Sequence, residues 1–187
     1  MGEVTQGWDD DDWSAPACGV WNATEVAGHL VTVACWYHQW LDRAETGQAS
    51  PPFPAKELAD HTASALAGLE PASGPERVEA FTHDALAYAG RLPAGWDLPY
   101  GYPFGTVTAG LHAGVATVEW HIHAWDLARS AGADHRPAEP EAVAGAAIEC
   151  VVAATGGVRG ALIGRIAPLA FRRDPWVALL KRSGRRP

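Results

Sequence analysis

In Val118-Glu119-Trp120-His121-Ile122-His123-Ala124-Trp125-Asp126-Leu127-Ala128 a carboxylate and an imidazole stand four residues apart, at Glu119 and His123. On a helix that spacing places them one above the other on a single face. At about 100° per residue, Leu111, Val115, Val118 and Ile122 share the face, and so do His112 and Asp126. An apolar stripe that also carries four polar or charged groups is costly to bury unless those groups pair with one another or bind a metal. A carboxylate and an imidazole so placed can supply two ligands to one divalent cation.

A third ligand stands on an earlier stripe. Val26, Leu30, Val33, Tyr37, Trp40 and Leu41 recur at helical spacing, and His29 lies between Val26 and Val33. In an antiparallel bundle the inward faces of two long helices meet in the core, where such folds build metal sites. His29 can therefore approach Glu119 and His123. Two imidazoles and one carboxylate leave coordination positions open, as in catalytic centres. The set suits Zn²⁺ best, and Ni²⁺, Fe²⁺ and Mn²⁺ also accept it. His112 and Asp126 are the candidates for orienting the ligand imidazoles and assisting catalysis. Hydrogen-bonded core histidines produce the same spacings, so the residues alone leave a purely structural reading open.

These side chains need long helices to hold them, and the punctuation of the chain supplies them. Asn22 with Glu25 forms a capping box at the start of the first. The breaker Ser50-Pro51-Pro52-Phe53-Pro54 precedes a helix of about 15 residues, with Leu58, His61, Ala65 and Leu69 on its bundle side. Ser73-Gly74-Pro75-Glu76 opens another, whose stripe is Val78, Phe81, Ala85, Tyr88 and Leu92. Pro93 to Gly105 reads as an irregular loop. The helix carrying Glu119 and His123 runs to about Ser130, with Gly132 at its end. Further helices start near Pro140 and span roughly Pro175 to Arg182. The expected fold is an all-α bundle, and the 187 residues suit one domain, 1–187.

Nine Trp are many for this length, and they serve either a Trp-rich core or a lined cavity. Trp36, Trp40, Trp96, Tyr100, Tyr102 and Phe104 are candidates for a substrate pocket above the metal. A net charge of -8 argues against nucleic acid or an anionic membrane as partner. The charge is uneven. Arg159, Arg165, Arg172, Arg173, Lys181, Arg182, Arg185 and Arg186 crowd the end of the chain against a single Asp174, and read as a solvated basic face or as a receiver of an anionic group. Three Cys without CxxC spacing fit reduced thiols in the cytoplasm, and neither Cys18 nor Cys35 has an evident His partner for nucleophilic catalysis. Thr155-Gly156-Gly157-Val158-Arg159-Gly160 lacks the strand and Lys of a phosphate loop and reads as a helix terminator. His61 faces the bundle, whereas His38, His83, His121 and His135 read as surface residues.

Three segments together resemble a known family. They are Trp13-Ser14-Ala15-Pro16-Ala17-Cys18 leading to Ala27-Gly28-His29-Leu30, Pro103-Phe104-Gly105 followed by Glu119 to Ala128, and Leu179-Leu180 to Gly184-Arg185-Arg186-Pro187. They are similar to the patterns of the mycothiol-dependent maleylpyruvate isomerase N-terminal type, within the DinB-like superfamily. The resemblance implies a DinB-like antiparallel four-helix bundle with short extra C-terminal helices. Its first bundle helix is expected to be shortened or missing, the edge being covered by a second subunit, as in a homodimer, or by other parts of the chain. It also implies a divalent metal on His29, Glu119 and His123, and use of mycothiol, another small thiol, or water. The separate C-terminal domain of the full-length isomerases is expected to be missing.

Three functions are compatible with these observations. The first is a cytoplasmic metal-dependent thiol transferase or isomerase acting on a small electrophile. The second is a thiol-independent Lewis-acid lyase, hydrolase or cyclase of specialised metabolism. The third is a non-catalytic metal- or ligand-binding bundle.

Overall fold

The computed structural model describes residues 1–156, 164 and 173–187. Arg159, Arg165, Arg172 and the stretch from Gly157 to Gly160 lie outside the described residues.

Helix α1 (Asp10–Ser14) is followed by α2 (Ala23–Glu45), α3 (Leu58–Ala67), α4 (Gly74–Gly95), α5 (Ala109–Ser130), α6 (Pro140–Thr155) and α7 (Pro175–Arg182). The local signals explain where the long ones begin. At α2 the Glu25 amide donates to Asn22 Oδ1 at 2.9 Å, and the Asn22 amide donates to Glu25 Oε2 at 2.8 Å. Ser73 and Glu76 make the same reciprocal pair at α4, and Thr108 accepts from the Leu111 amide at the start of α5. Positive-φ glycines follow the last turns of α5 and α6, at Gly132 (φ 71°) and Gly156 (φ 63°), where an L side chain would be strained.

The long helices pack α2 against α4 and α5 against α6, with α5 also touching α2 and α4, and α7 lying on α6. One core cluster joins α2, α4 and α5 through Tyr37, Leu41, Tyr88 and Ala116. A second gathers Trp13, Val26, Leu30, Phe81 and Leu127. A third joins α5, α6 and α7 through Ile122, Trp125, Val143, Trp176 and Leu180. The all-α fold is as expected, and no described helix is long and apolar enough to cross a membrane.

Three expectations need correction. The segment from Pro93 to Gly105 is not an irregular loop. Helix α4 carries Pro93 inside its last turn, and β3 (Pro99–Tyr102) pairs antiparallel with β4 (Gly105–Thr108) around a two-residue turn. Gly101 acts there as a packing residue: a Cβ at that position would lie 2.3 Å from the Ser50 carbonyl oxygen. A second small hairpin pairs β1 (Pro16–Cys18) with β2 (Trp21–Asn22). The helix after the proline breaker is shorter than 15 residues: a 3₁₀ turn, Ala55–Glu57, leads into the ten residues of α3. His61 is exposed on it and stacks on Phe53, with ring centroids 4.0 Å apart, instead of facing the bundle.

At the N-terminus α1 has only five residues. Its Trp13 is buried and covers Gly74 so closely that a Cβ there would stand 2.0 Å from the indole. The N-terminal segment therefore lies against the start of α4 as well as α2.

Candidate metal centre

Helices α2 and α5 face each other with His29 on one and Glu119 and His123 on the other. His29 Nε2 lies 3.1 Å from Glu119 Oε1. The His29 and His123 rings meet edge to face with centroids 5.0 Å apart. One donor atom from each of His29, Glu119 and His123 falls within 4.8 Å of the other two. Metal–ligand bonds of about 2.0–2.2 Å at tetrahedral angles need donors some 3.4 Å apart, so rotamer adjustments of an ångström or so would close the triad on a cation. Both imidazoles are buried, and His29 Nδ1 has no hydrogen-bond partner among the described residues.

A layer of partners stands behind these three. The Tyr37 hydroxyl donates to Glu119 Oε2. Tyr37 sits eight residues after His29, two turns along the same face, and a buried phenol seeks an acceptor. Burial pushes the Glu119 carboxyl up, but the hydrogen bond and charge of His29, the charge of His123 and the Tyr37 hydroxyl outweigh it and hold the group at about 2. His123 Nδ1 lies 2.9 Å from Asp126 Oδ2, so its proton-bearing nitrogen faces Asp126 and Nε2 is left for the triad. Asp126 is held in turn by the Arg185 guanidinium, at 3.1 Å from Nε to Oδ1 and 2.7 Å from Nη2 to Oδ2. Burial raises the Asp126 carboxyl, yet the hydrogen bonds from His123 and Arg185 carry it below its ordinary range.

Arg185 also donates to Cys18 Sγ at 3.4 Å. Two sequence readings change here: Arg185 is no part of a solvated basic face, and Cys18 stands within 4.8 Å of donor atoms of His123 and Asp126. The two residues lie 167 positions apart, and no spacing signal links them. Burial raises the Cys18 thiol above its ordinary value, with the Asp126 charge adding to the effect.

His112 is fully buried but does not touch the triad. Its Nδ1 meets the Tyr88 hydroxyl at 2.9 Å, its ring stacks on Tyr100 at 4.2 Å, and it meets Tyr37 edge-on at 4.5 Å. Burial lowers its pKa to about 3, so the imidazole is neutral. Tyr37 stands between it and Glu119, touching the His112 ring and donating to the carboxylate.

A cavity of about 450 Å³ opens onto the triad. Its walls include Val33, Trp36, Tyr37 and Trp40 from α2, Val115, Val118 and Ile122 from α5, and Tyr102 and Phe104 from the β3–β4 hairpin. Two expected pocket residues stand elsewhere. Tyr100 is wholly buried behind the wall, with its hydroxyl on the Tyr37 carbonyl, and Trp96 lies over Gly110 on the outer side of α5. His121 and His135 are not simple surface groups either. They stack half-buried, Nδ1 to Nε2 at 3.1 Å, and burial lowers both.

The sequence pattern described as the mycothiol maleylpyruvate isomerase N-terminal domain matches residues 1–128. The chain belongs to that family. Comparison with curated proteins and with solved structures gives no significant match. The segment matching the mycothiol maleylpyruvate isomerase N-terminal domain contains His29, Tyr37, Glu119, His123 and Asp126, and stops short of Arg185.

Proposed function

We propose that the protein is a divalent-metal-dependent enzyme that activates a small thiol or water for transfer to, or rearrangement of, a small electrophile. The observation that carries this reading is the convergence of His29, Glu119 and His123 within 4.8 Å on the wall of a cavity of about 450 Å³. Cavities of about 300–1,000 Å³ suit small-molecule ligands. His29 and His123 would hold the cation by neutral imidazole nitrogens and Glu119 by a carboxylate oxygen, a donor set that accepts zinc first and iron, nickel or manganese as well. When bound, such a cation lowers the pKa of a thiol or water and polarises a carbonyl. The family description supports mycothiol as the thiol.

The chain's own residues do the rest. Tyr37 and Asp126 fix the orientation of Glu119 and His123. The aromatic and aliphatic walls contributed by Trp36, Trp40, Val115, Val118 and Phe104 set a largely apolar surface around the triad, which strengthens electrostatic interactions beside it. They favour an electrophile with an apolar body and a single polar end directed to the triad.

Elemental analysis of the purified protein together with calorimetric titration by mycothiol tests the reading. One equivalent of divalent metal in the wild type, its loss in His123→Ala, and thiol binding only to the metal-loaded form are expected. Metal content unchanged by His123→Ala would refute it.

A further inference from the structure

Among the described residues, two groups of donors share His123. One is His29, Glu119 and His123; the other is Cys18, His123 and Asp126. Each offers three ligating atoms within 4.8 Å of one another, and a thiolate–imidazole–carboxylate set is as fit for zinc as the first. What distinguishes them is Arg185. Its guanidinium reaches both Asp126 oxygens and the Cys18 sulfur, so a fixed positive charge lies among the donors of the second group. Among the described residues, the first group's side-chain hydrogen bonds run to one another, to Tyr37 and to Asp126.

The arginine is held rigidly. Its backbone amide donates to the Leu180 carbonyl at 2.9 Å and its Nη1 donates to the Ser183 carbonyl at 2.8 Å. Leu180 is buried in the cluster that joins α5, α6 and α7. The C-terminal turn of α7 thus aims the guanidinium at a carboxylate 59 positions earlier.

Building on the metal reading above, we propose that Arg185 is a positioning residue that decides which donor group takes the cation. It does so in two ways. The planar fork locks the Asp126 carboxylate, which keeps the His123 proton on Nδ1 and turns Nε2 toward His29 and Glu119. The same charge repels a cation from Cys18 and Asp126, leaving the sulfur uncoordinated. Lysine cannot reproduce the fork, because its ammonium is a single point of charge.

Cobalt(II) substitution reads this directly, because thiolate coordination adds a near-ultraviolet charge-transfer band that imidazole and carboxylate ligands do not. Wild-type protein titrated with Co²⁺ should show d–d bands and no thiolate band. Arg185→Ala should gain the thiolate band, and Cys18→Ser in that background should abolish it. Arg185→Lys, which keeps the charge, should bind about tenfold more weakly without a thiolate band. In an Asp126→Asn background the lysine change should add little, since its effect passes through Asp126.

A purely structural role for Arg185 would lower the melting temperature and leave affinity and spectrum untouched. Spectra and affinities in Arg185→Ala and Arg185→Lys equal to the wild type overturn the inference while leaving the metal centre standing. If Arg185→Ala does not fold, wild-type affinity in Arg185→Lys is enough to overturn it. Wild-type protein that takes up no Co²⁺, or takes it up unaffected by His29→Ala, overturns the metal reading and this inference with it.

Discussion

At Glu119 burial and its hydrogen-bonding partners act in opposite directions. Burial alone would raise its carboxyl, and His29, His123 and the Tyr37 hydroxyl oppose that rise. Its folded pKa, about 2, lies below the ordinary 4.5. The unfolded state therefore binds more protons between these values, and the stability from this group is present above pH 4.5 and lost as pH falls toward 2. Tyr37→Phe removes one of the stabilising partners and lets burial raise the carboxyl. Its acid-unfolding midpoint, followed by circular dichroism, should move to higher pH. Metal affinity measured by chelator competition should fall about tenfold, the usual scale for losing a partner of a ligand. An unchanged midpoint and affinity would remove Tyr37 from the site.

At the scale of elements, the β3–β4 hairpin and helix α2 build the cavity by different means. The hairpin is seated by a close backbone approach, with Gly101 against the Ala49 and Ser50 carbonyls. Gly101→Ala must displace backbone, and overpacking of this kind costs about 1–3 kcal/mol. Urea unfolding should show that loss, and ligand binding should weaken with it because Tyr102 and Phe104 ride on the hairpin. Helix α2 depends on its cap. Asn22→Ala removes the acceptor for the Glu25 amide and should cost about 1 kcal/mol, while metal content at full folding stays at the wild-type level. The helix was legible in the sequence because capping boxes and apolar periodicity are local signals. The hairpin was not: Pro and Gly between 93 and 105 look like breakers until Gly101 is seen to have a backbone neighbour from a different segment.

For the whole molecule the decisive quantity is the polar material enclosed between α2, α4 and α5. His112 is fully buried among aromatic rings that include Tyr37, Tyr88 and Tyr100 and stays neutral, its pKa lowered from 6.5 to about 3. Below pH 6.5 the unfolded chain takes up a proton at this position and the folded protein does not, so stability falls with falling pH. The increment is at most about 1.4 kcal/mol per pH unit. His121 and His135 are lowered as well and act with the same sign. Urea unfolding at pH 7, 6 and 5 should therefore show declining stability in the wild type. The slope should be shallower in His112→Gln, whatever that variant's absolute stability. Identical slopes would mean that His112 is hydrated or protonated in the folded protein.

The order of side chains on α2 and α5 was readable from the chain alone. His29, Tyr37 and Trp40 share one face and His112, Glu119, His123 and Asp126 another, because 3.6 residues per turn relates neighbours in sequence by rotation about one axis. The start of α2 followed from Asn22 and Glu25, and the end of α5 from Gly132, for the same local reason. Which faces meet was settled only by the packed bundle, since an apolar stripe marks the buried face of its own helix and not the helix it packs against. The bundle alone brought Arg185 and Cys18 to Asp126, separated Tyr100 and Trp96 from the cavity, and set His121 on His135. Such contacts are made by through-space packing and charge, which no spacing along the chain encodes.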